Sequence, residues 1–183
     1  VLAQRSQLPA RDEPLSCGIA FDTRHNSMHF AELCASVMAA NGFRVYLLGI
    51  YRATPQLSFL VRSKACACGI MVTASHNPPS DNAVKVYWST GGQIVPPHDA
   101  GIVERVMQVQ EIRQVSFHDA LKSGQIVLCH HENDIDFNHK VVEQGFPGPR
   151  DLKIIYSPLH GVGEDAAVPV LENDGFRDIE VFA

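Results

Sequence analysis

A chain of 183 residues has room for one α/β domain and part of another, and it can bury roughly 70% of the surface that its unfolded form exposes. Its formal net charge of −5 gives no general reason to bind nucleic acid or an anionic membrane, and no apolar run approaches the ~20 residues that span a bilayer. Five cysteines, an odd number without regular spacing, favour reduced thiols and a cytoplasmic location.

The first predicted elements are a strand and a helix. The apolar run 17–22 predicts a buried strand, and residues 28–42 predict a helix that ends at Gly42, where glycine suits the position after the last turn. The evidence for this helix is a set of apolar residues at helical spacing, namely Phe30, Leu33, Cys34, Val37 and Met38.

The next elements continue this alternation. Residues 43–49 predict a second strand, and Thr54-Pro55 predicts the first turn of a helix, where proline is tolerated. Further strands are predicted at 68–75 and 85–88, and a helix at 96–112. Strands that alternate with helices predict parallel βαβ units, and we expect a mixed, mostly parallel sheet flanked by helices.

The periodic pattern weakens after residue 112 and returns after residue 150. The stretch GFPGPR (145–150) is typical of a linker, and residues 151–183 contain a second strand–helix–strand series. We therefore expect a first domain over residues 1–145 and the beginning of a second, similar α/β domain over residues 151–183.

Two polar turns fall where ligands gather in parallel sheets. Asp22-Thr23-Arg24 and Ser75-His76-Asn77 both follow predicted strands, and the carboxyl ends of parallel strands form the usual ligand crevice. A serine hydroxyl is a poor nucleophile unless a base or a strong field activates it. Near Ser75 the chain offers Arg24, His76, Asn77 and Lys85, a set that suits a phosphate.

Other roles for the Ser75 turn are open at this point. A serine hydrolase is disfavoured, because no carboxylate near Ser75 in sequence completes a triad and no G-x-S-x-G elbow is present. A polar turn that merely ends a strand, closed by Pro78 and Pro79, remains an alternative to a phosphate-handling serine.

Several segments carry a family resemblance. TASHNP (73–78) resembles the phosphoserine loop of the α-D-phosphohexomutase family, and the longer stretch GIMVTASHNPPSDNAVKVYW, followed by GGQIVPPHDAGI, most resembles its phosphoglucomutase and phosphopentomutase branch. Asp22-Thr23-Arg24 resembles the family's Asp-x-Arg turn, Ala53-Thr54-Pro55 its Thr-Pro element, and residues 157–163 the His-Gly segment of its second domain.

The resemblance implies an activity and a set of roles. The activity would be phosphoryl transfer between the 1- and 6-positions of a hexose phosphate (glucose or mannose) through a bisphosphate. Ser75 would be the phosphorylated serine, and its phosphate would be a ligand of Mg²⁺. His76 and Asn77 would orient the phosphoryl group, Lys85 would serve acid/base work or charge stabilisation, and Arg24 would help to fix the loop. His160 and Gly161 would lie on the phosphate side or between domains, and an activator of the glucose 1,6-bisphosphate type is implied.

The sequence also departs from the family pattern. The usual glycine before the lysine is replaced in Asn82-Ala83-Val84-Lys85, and the family's Asp-rich metal loop, sugar-binding loop and C-terminal phosphate loop are not in these residues. We therefore expect a piece of a four-domain enzyme, inactive by itself. The alternatives are a phosphopentomutase or a non-catalytic phosphosugar-binding module.

Two further clusters invite a metal or redox interpretation. The stretch CHHENDIDFNH (129–139) is rich in ligand-type side chains but lacks zinc or EF-hand spacing, so a solvated polar helix start is favoured. Cys66-x-Cys68 lacks the Cys-x-x-Cys spacing of redox sites, which favours buried thiols beside a strand.

Overall fold

The computed structural model describes residues 14–182, and within them five strands form one sheet in the order β4-β3-β1-β2-β5. These strands are β1 (Ser16–Phe21), β2 (Arg44–Leu48), β3 (Cys68–Val72), β4 (Val84–Trp88) and β5 (Ile126–Cys129). Strand β4 runs antiparallel to β3, and the other neighbours are parallel. The predicted mixed, mostly parallel sheet is confirmed. The parts of the two expected domains that comprise residues 1–13 and 183 lie outside the described residues.

Helices cover both faces of this sheet. Helices α1 (Ser27–Ala40) and α4 (Phe117–Lys122) pack on one face and α2 (Thr54–Ser63) on the other, whereas α5 (His131–Val142) packs against α2 and α3 (His98–Met107) buries none of its residues. Because side chains alternate along a strand, Cys17, Ile19 and Phe21 of β1 pack in one core layer with α1 and α4. Ala20 of the same strand packs in the other layer with α2.

The buried face of α1 differs from the apolar stripe that predicted the helix. Its buried residues are small, namely Ser27, Ala31, Ala35, Ser36 and Ala39, whereas Phe30 and Leu33 are each 39% exposed. Small side chains four residues apart let the helix lie close to the sheet; Cys34 and Met38 of the predicted stripe pack partly buried against the same core, whereas Phe30 and Leu33 are turned outward. The predicted end is confirmed: Gly42 has a φ of 80°, and the amides of Gly42 and Phe43 bond to the carbonyls of Ala39 and Met38 as in a Schellman motif.

The region where the sequence pattern weakens contains more regular structure than the helix start that was predicted within 129–139. Helix α4, strand β5 and helix α5 all lie between residues 113 and 145, and β5 extends the first sheet by pairing with β2. Strand β5 has four residues and α4 has six, which is too short for periodicity to be visible.

A second, smaller sheet follows the predicted linker. Strands β6 (Lys153–Tyr156) and β7 (Asp178–Val181) are parallel, and α6 (Glu164–Asn173) connects them, which confirms the predicted strand–helix–strand series. Helix α6 packs against α5 of the first unit. None of the helices within residues 14–182 combines the length and apolar character needed to cross a bilayer.

Candidate active site

A cleft of about 770 Å³ opens where β1 and β3 end. Its walls come from the loops that follow these strands, from the first turn of α2 at 53–55, and from residues 159–162, here named the 159–162 turn. Parallel strands bring these loops to one edge of the sheet, as expected. The predicted site residues that line the cleft are Arg24, Ser75, His76, Asn77, His160 and Gly161.

Ser75 occupies an unusual backbone conformation in this cleft. Its φ is 58°, in the left-handed region that non-glycine residues rarely adopt. Its N–H donates to Thr73 Oγ1 at 2.9 Å, and the amide of Asn77 closes the turn by donating to the carbonyl of Ala74 at 3.1 Å. The residue is exposed, so its hydroxyl is accessible from the cleft.

A buried hydroxyl and a carboxylate support the Ser75 turn from below. Thr73, which is 4% exposed, donates its hydroxyl to Asp22 Oδ2 at 2.5 Å. Asp22 Oδ1 accepts from the amide of Arg24 and from Ser27 Oγ, at 3.2 and 3.0 Å. A continuous chain of hydrogen bonds therefore joins the end of β1 to the amide of Ser75.

Arg24 holds the same loop through its backbone. Its side chain is 8% exposed, and Nε lies 3.2 Å from Asp22 Oδ2. The two terminal nitrogens donate to the carbonyl oxygens of Ser75, Asn77, Pro78 and Asp81. Because these donors are directed at loop carbonyls, the geometry fits the expected loop-fixing role better than contact with a ligand.

The opposite wall of the cleft carries His160 and Gly161. His160 also has a positive φ, 65°, and its carbonyl accepts a hydrogen bond from Thr23 Oγ1 at 2.8 Å. This bond joins the 159–162 turn to the loop after β1, across 137 residues of sequence. Asp22 is the one carboxylate among the described residues that line the cleft, and it is paired with Arg24.

Lys85 lies apart from the other predicted residues. It is half-buried on β4, directly across from Met71 of β3; Met71 lines the cleft, whereas Lys85 is not among the described lining residues. Among the described residues the non-glycine positions with positive φ are Asn26, Ala65, Ser75 and His160. Ala83 is not one of them, so alanine near this lysine requires no left-handed backbone.

The sequence interpretation missed two residues of the site. Thr73 was inside the recognised motif, and the T-x-S spacing could have indicated its bond to the amide two residues on, a common pattern for threonine. His25 lines the cleft beside His76 and His160, but no sequence signal marks it. Its position follows from the path of the loop after β1.

The stretch 129–139 does begin a helix, α5, and His131, Glu132, Asp136 and His139 are exposed as expected, but the helix start is not solvated throughout. Asp134 is 8% exposed and forms an ion pair with Arg52, and Asn133 and Asn138 are also buried. Asp134 bonds to Arg52 and to Gln56 of α2, and α5 packs against both α2 and α6. Across residues 14–182 no group of three or more His, Cys, Asp or Glu side chains could hold a metal ion.

The cysteines are free thiols, and four of the five are buried. Cys66 and Cys68 are 1% and 2% exposed, in agreement with the buried-thiol interpretation. Burial raises the pKa of the Cys66 thiol from 9.0 to about 11. The hydrogen bond that the Cys17 thiol donates to Cys68, together with burial, raises the pKa of Cys17 well above 9.0.

Comparison with known proteins identifies the family. The family model described as "Phosphoglucomutase/phosphomannomutase, alpha/beta/alpha domain I" matches residues 5–113. The chain belongs to the phosphoglucomutase/phosphomannomutase family. The resemblance inferred from TASHNP is thereby confirmed.

Relatives in this family differ in the sugar that their names imply. The phosphoglucomutase of Staphylococcus haemolyticus is 29% identical over 95% of this chain and 32% of its own length. The phosphopentomutase of Pongo abelii is 35% identical over 79% of this chain and 26% of its own length. The chain thus spans about a third or less of the length of these curated relatives.

A solved structure supports the same fold. The open form of pp63/parafusin, a phosphoglucomutase from Paramecium, superposes with a TM-score of 0.74 at 16% identity. The match covers 98% of this chain and 38% of the Paramecium chain. At this identity the likeness shows the phosphoglucomutase/phosphomannomutase fold alone.

Proposed function

We propose that this chain supplies the phosphoserine loop of a phosphohexomutase, which moves a phosphoryl group between the 1- and 6-positions of a glucose or mannose phosphate. The observation that carries the proposal is the place of Ser75. Its accessible hydroxyl lies in the cleft on a loop that Arg24 and the Asp22–Thr73 chain hold from two sides, in a member of a mutase family.

Two transfers would complete the reaction. In the first, the phosphorus–oxygen bond to Ser75 Oγ breaks and a bond to the free hydroxyl of the sugar phosphate forms. The hydroxyl proton leaves to a base, Ser75 Oγ takes up a proton, and the product is a sugar bisphosphate. The bisphosphate then changes its orientation in the site, and its other phosphoryl group is transferred to Ser75 Oγ with the reverse proton movements. The isomeric monophosphate is then released.

The cleft residues would position the reacting groups and neutralise their charge. These two effects supply most of the rate enhancement in phosphoryl transfer. A phosphoserine carries about −1.5 to −2 charges. We assign orientation of the phosphoryl group to His76 and Asn77, and contact with the second phosphate to His160 and Gly161. Lys85 would serve as acid/base or charge stabiliser; it lies half-buried on β4 opposite Met71 of the cleft wall, outside the described lining residues.

Mg²⁺ fits the described residues only in part. Mg²⁺ needs oxygen ligands in near-octahedral order, and the phosphate on Ser75 would supply one of them. Asp22, the one carboxylate among the described lining residues, already uses both oxygens in hydrogen bonds. The other ligands would have to come from outside the part of the chain that the structure describes.

We place the enzyme in the cytoplasm, with a sugar phosphate as substrate, an activator of the glucose 1,6-bisphosphate type, and no nucleic-acid or membrane partner. The first domain would cover residues 1–145, and 151–183 would begin the second. The 183 residues alone would give no turnover, because they carry neither the Asp-rich metal loop nor the sugar-binding loop that the family uses.

A pentose phosphate is the second candidate substrate. It is favoured by the 35% identity to the phosphopentomutase of Pongo abelii. Hexose and pentose phosphates would undergo the same phosphoryl transfer at Ser75. The rate of turnover of each sugar by the full-length protein would show which is the preferred substrate. A non-catalytic phosphosugar-binding module would bind these compounds without turnover.

Replacement of Ser75 tests the proposal directly. In the full-length protein Ser75→Ala is expected to remove nearly all mutase activity on hexose and pentose 1-phosphates, because no other hydroxyl occupies this turn position. Ser80→Ala is the matched control, since Ser80 is an exposed serine of the same loop whose hydroxyl contacts only its neighbour Asp81 among the described residues. Near-normal turnover of Ser75→Ala would refute the assignment.

Intact-mass measurement provides a second readout of the same test. The wild-type protein is expected to lose the mass of one phosphoryl group on phosphatase treatment, and Ser75→Ala is expected to show no such loss. Turnover is measured with a coupled assay for the product sugar 6-phosphate or 5-phosphate.

A further inference from the structure

Arg52 is a buried cation that the function described above does not use. It lies between β2 and α2, immediately before residues 53–55 of the cleft wall, and it is 4% exposed. Its amide donates to the carbonyl of Phe21, the last residue of β1, at 2.8 Å. The backbone of Arg52 is therefore fixed to the strand end that begins the cleft.

The guanidinium of Arg52 forms a two-point contact with α5. Nε and Nη2 donate to the two carboxylate oxygens of Asp134 at 2.9 and 2.7 Å, the paired geometry that guanidinium and carboxylate favour. Gln56 strengthens this contact by donating to Asp134 Oδ1 at 2.9 Å, while its own Oε1 accepts from the amide of Ala53. These hydrogen bonds therefore hold the first turn of α2 against the first turn of α5.

The remaining donor of Arg52 reaches the second unit. Nη1 donates to the carbonyl of Tyr51 at 2.8 Å and to Asp165 Oδ2 at 3.1 Å. Asp165 lies in the first turn of α6, which begins at Glu164, directly after the 159–162 turn. Arg52 therefore contacts α6, the helix that follows the 159–162 turn. In sequence Arg52 directly precedes residues 53–55, which form another wall of the cleft.

The 159–162 turn is thus attached to the first unit on both sides. Thr23 Oγ1 holds the carbonyl of His160, and Arg52 holds Asp165 five residues later. Breaking the second attachment would leave the turn held by the single exposed Thr23 bond and by the packing of α6 against α5, so the turn should open more often.

We infer that Arg52 is a positioning residue that sets the distance between the Ser75 loop and the 159–162 turn by holding Asp165. For its effect on substrate, this inference rests on the proposed mutase function. Arg52 itself is not among the described residues that line the cleft, and its donors are occupied by Asp134, Tyr51 and Asp165. Its contribution is to keep His160 and Gly161 where a substrate phosphate can meet them.

Asp165→Asn is the test variant, because the Asp165 side chain is 48% exposed and the fold should tolerate the change. Glu164→Gln is the matched control: it removes the same charge from the same helix turn, but Glu164 has no ion pair among the described residues. Amide hydrogen exchange of both variants and of the wild-type chain is followed by mass spectrometry. We expect exchange at residues 159–163 to accelerate about threefold in Asp165→Asn and to stay unchanged in Glu164→Gln, a size typical of a half-exposed ion pair.

Kinetics of the same variants in the full-length protein separate positioning from stability. Asp165→Asn should raise KM for the sugar phosphate about threefold with kcat nearly unchanged, because the attachment affects binding to the cleft wall rather than the transfer at Ser75. Asp165→Glu, which can restore the contact, should return KM toward the wild-type value.

Unchanged exchange at 159–163 in Asp165→Asn, or equal acceleration in Glu164→Gln, would overturn the inference. So would a normal KM in an active Asp165→Asn enzyme. If the wild-type full-length protein shows no mutase turnover, the proposed function fails, and the exchange result alone then decides whether Arg52 holds the turn.

Discussion

Single residues determine the shape of the Ser75 loop through backbone bonds. Ser75 has a left-handed φ of 58°, which costs an ordinary residue about 1–2 kcal/mol, and the surrounding bonds must offset this strain. Arg24 and Thr73 supply those bonds, the first to loop carbonyls and the second to the Ser75 amide. A strained residue kept at this position is consistent with a requirement for its hydroxyl.

Glycine substitution measures that strain. Ser75→Gly is expected to keep or raise the free energy of unfolding, by up to about 1 kcal/mol, because glycine adopts positive φ freely. Ser80→Gly, at a described position without positive φ, is expected to lower it by about 0.5–1 kcal/mol through chain entropy alone. Urea unfolding of the 183-residue chain provides both values. Equal destabilisation by the two substitutions would show that Ser75 is not strained.

At the scale of elements, α1 shows how close packing can move the buried face of a helix away from part of its apolar stripe. The helix contacts the sheet through Ala31, Ala35 and Ala39, while Leu33 and Phe30 are partly exposed. The position of α1 matters to the site, because Ser27 in its first turn bonds to both Asp22 and Asn82. The small-residue face therefore brings the helix start close to the loop that carries the cleft.

Two substitutions in α1 distinguish these faces. Ala35→Leu is expected to lower the free energy of unfolding by about 1–3 kcal/mol, because the added carbons have no space between helix and sheet. Leu33→Ala should lower it by less than about 1 kcal/mol, since much of that side chain is already exposed. Chemical unfolding monitored by circular dichroism measures both. A larger loss of unfolding free energy for Leu33→Ala than for Ala35→Leu would show that the apolar stripe, and not the alanine face, packs against the sheet.

At the scale of the whole molecule, buried thiols in both core layers make the stability of the fold depend on pH. Cys17 and Cys68 belong to the layer under α1, whereas Cys66 and Cys129 belong to the layer under α2. Burial raises the pKa of Cys66, Cys34 and Cys129, so the folded chain retains thiol protons that the unfolded chain releases. Stability contributed by these groups is full below the unfolded pKa and is lost as pH rises through the folded pKa.

Cys66 gives the clearest pH prediction, since its pKa rises from 9.0 to about 11. The free energy of unfolding should fall between pH 9 and pH 11, with Cys66 contributing on the order of 1–2 kcal/mol. Cys66→Ala should show a shallower decline over the same range, while lysine and tyrosine titration remains common to both proteins. Urea unfolding at pH 8 and at pH 10.5, under reducing conditions, measures the two slopes. Parallel slopes would contradict a raised thiol pKa at this site.

Local patterns were sufficient for much of the fold and for the centre of the site. The strand at 17–22, the helix that ends at Gly42 and the turn of TASHNP are each encoded by residues adjacent in sequence, so periodicity, glycine and motif chemistry predict them. The mostly parallel sheet follows from the order of these elements, and with it the edge at which the loops after β1 and β3 meet.

Tertiary structure alone decided what depends on partners distant in sequence. Strand β5 becomes recognisable only by pairing with β2, and α1 buries its alanines only because the sheet lies close. The local sequence around Asp134 indicates a solvated residue. Its buried partner, Arg52, lies 82 positions earlier in the sequence and is adjacent to it only in the folded structure. The closeness of His160 to the Ser75 loop likewise depends on bonds from Thr23 and Arg52. The free energy of a buried charge or a small-residue contact is set by what lies across the interface, and a linear pattern does not contain that information.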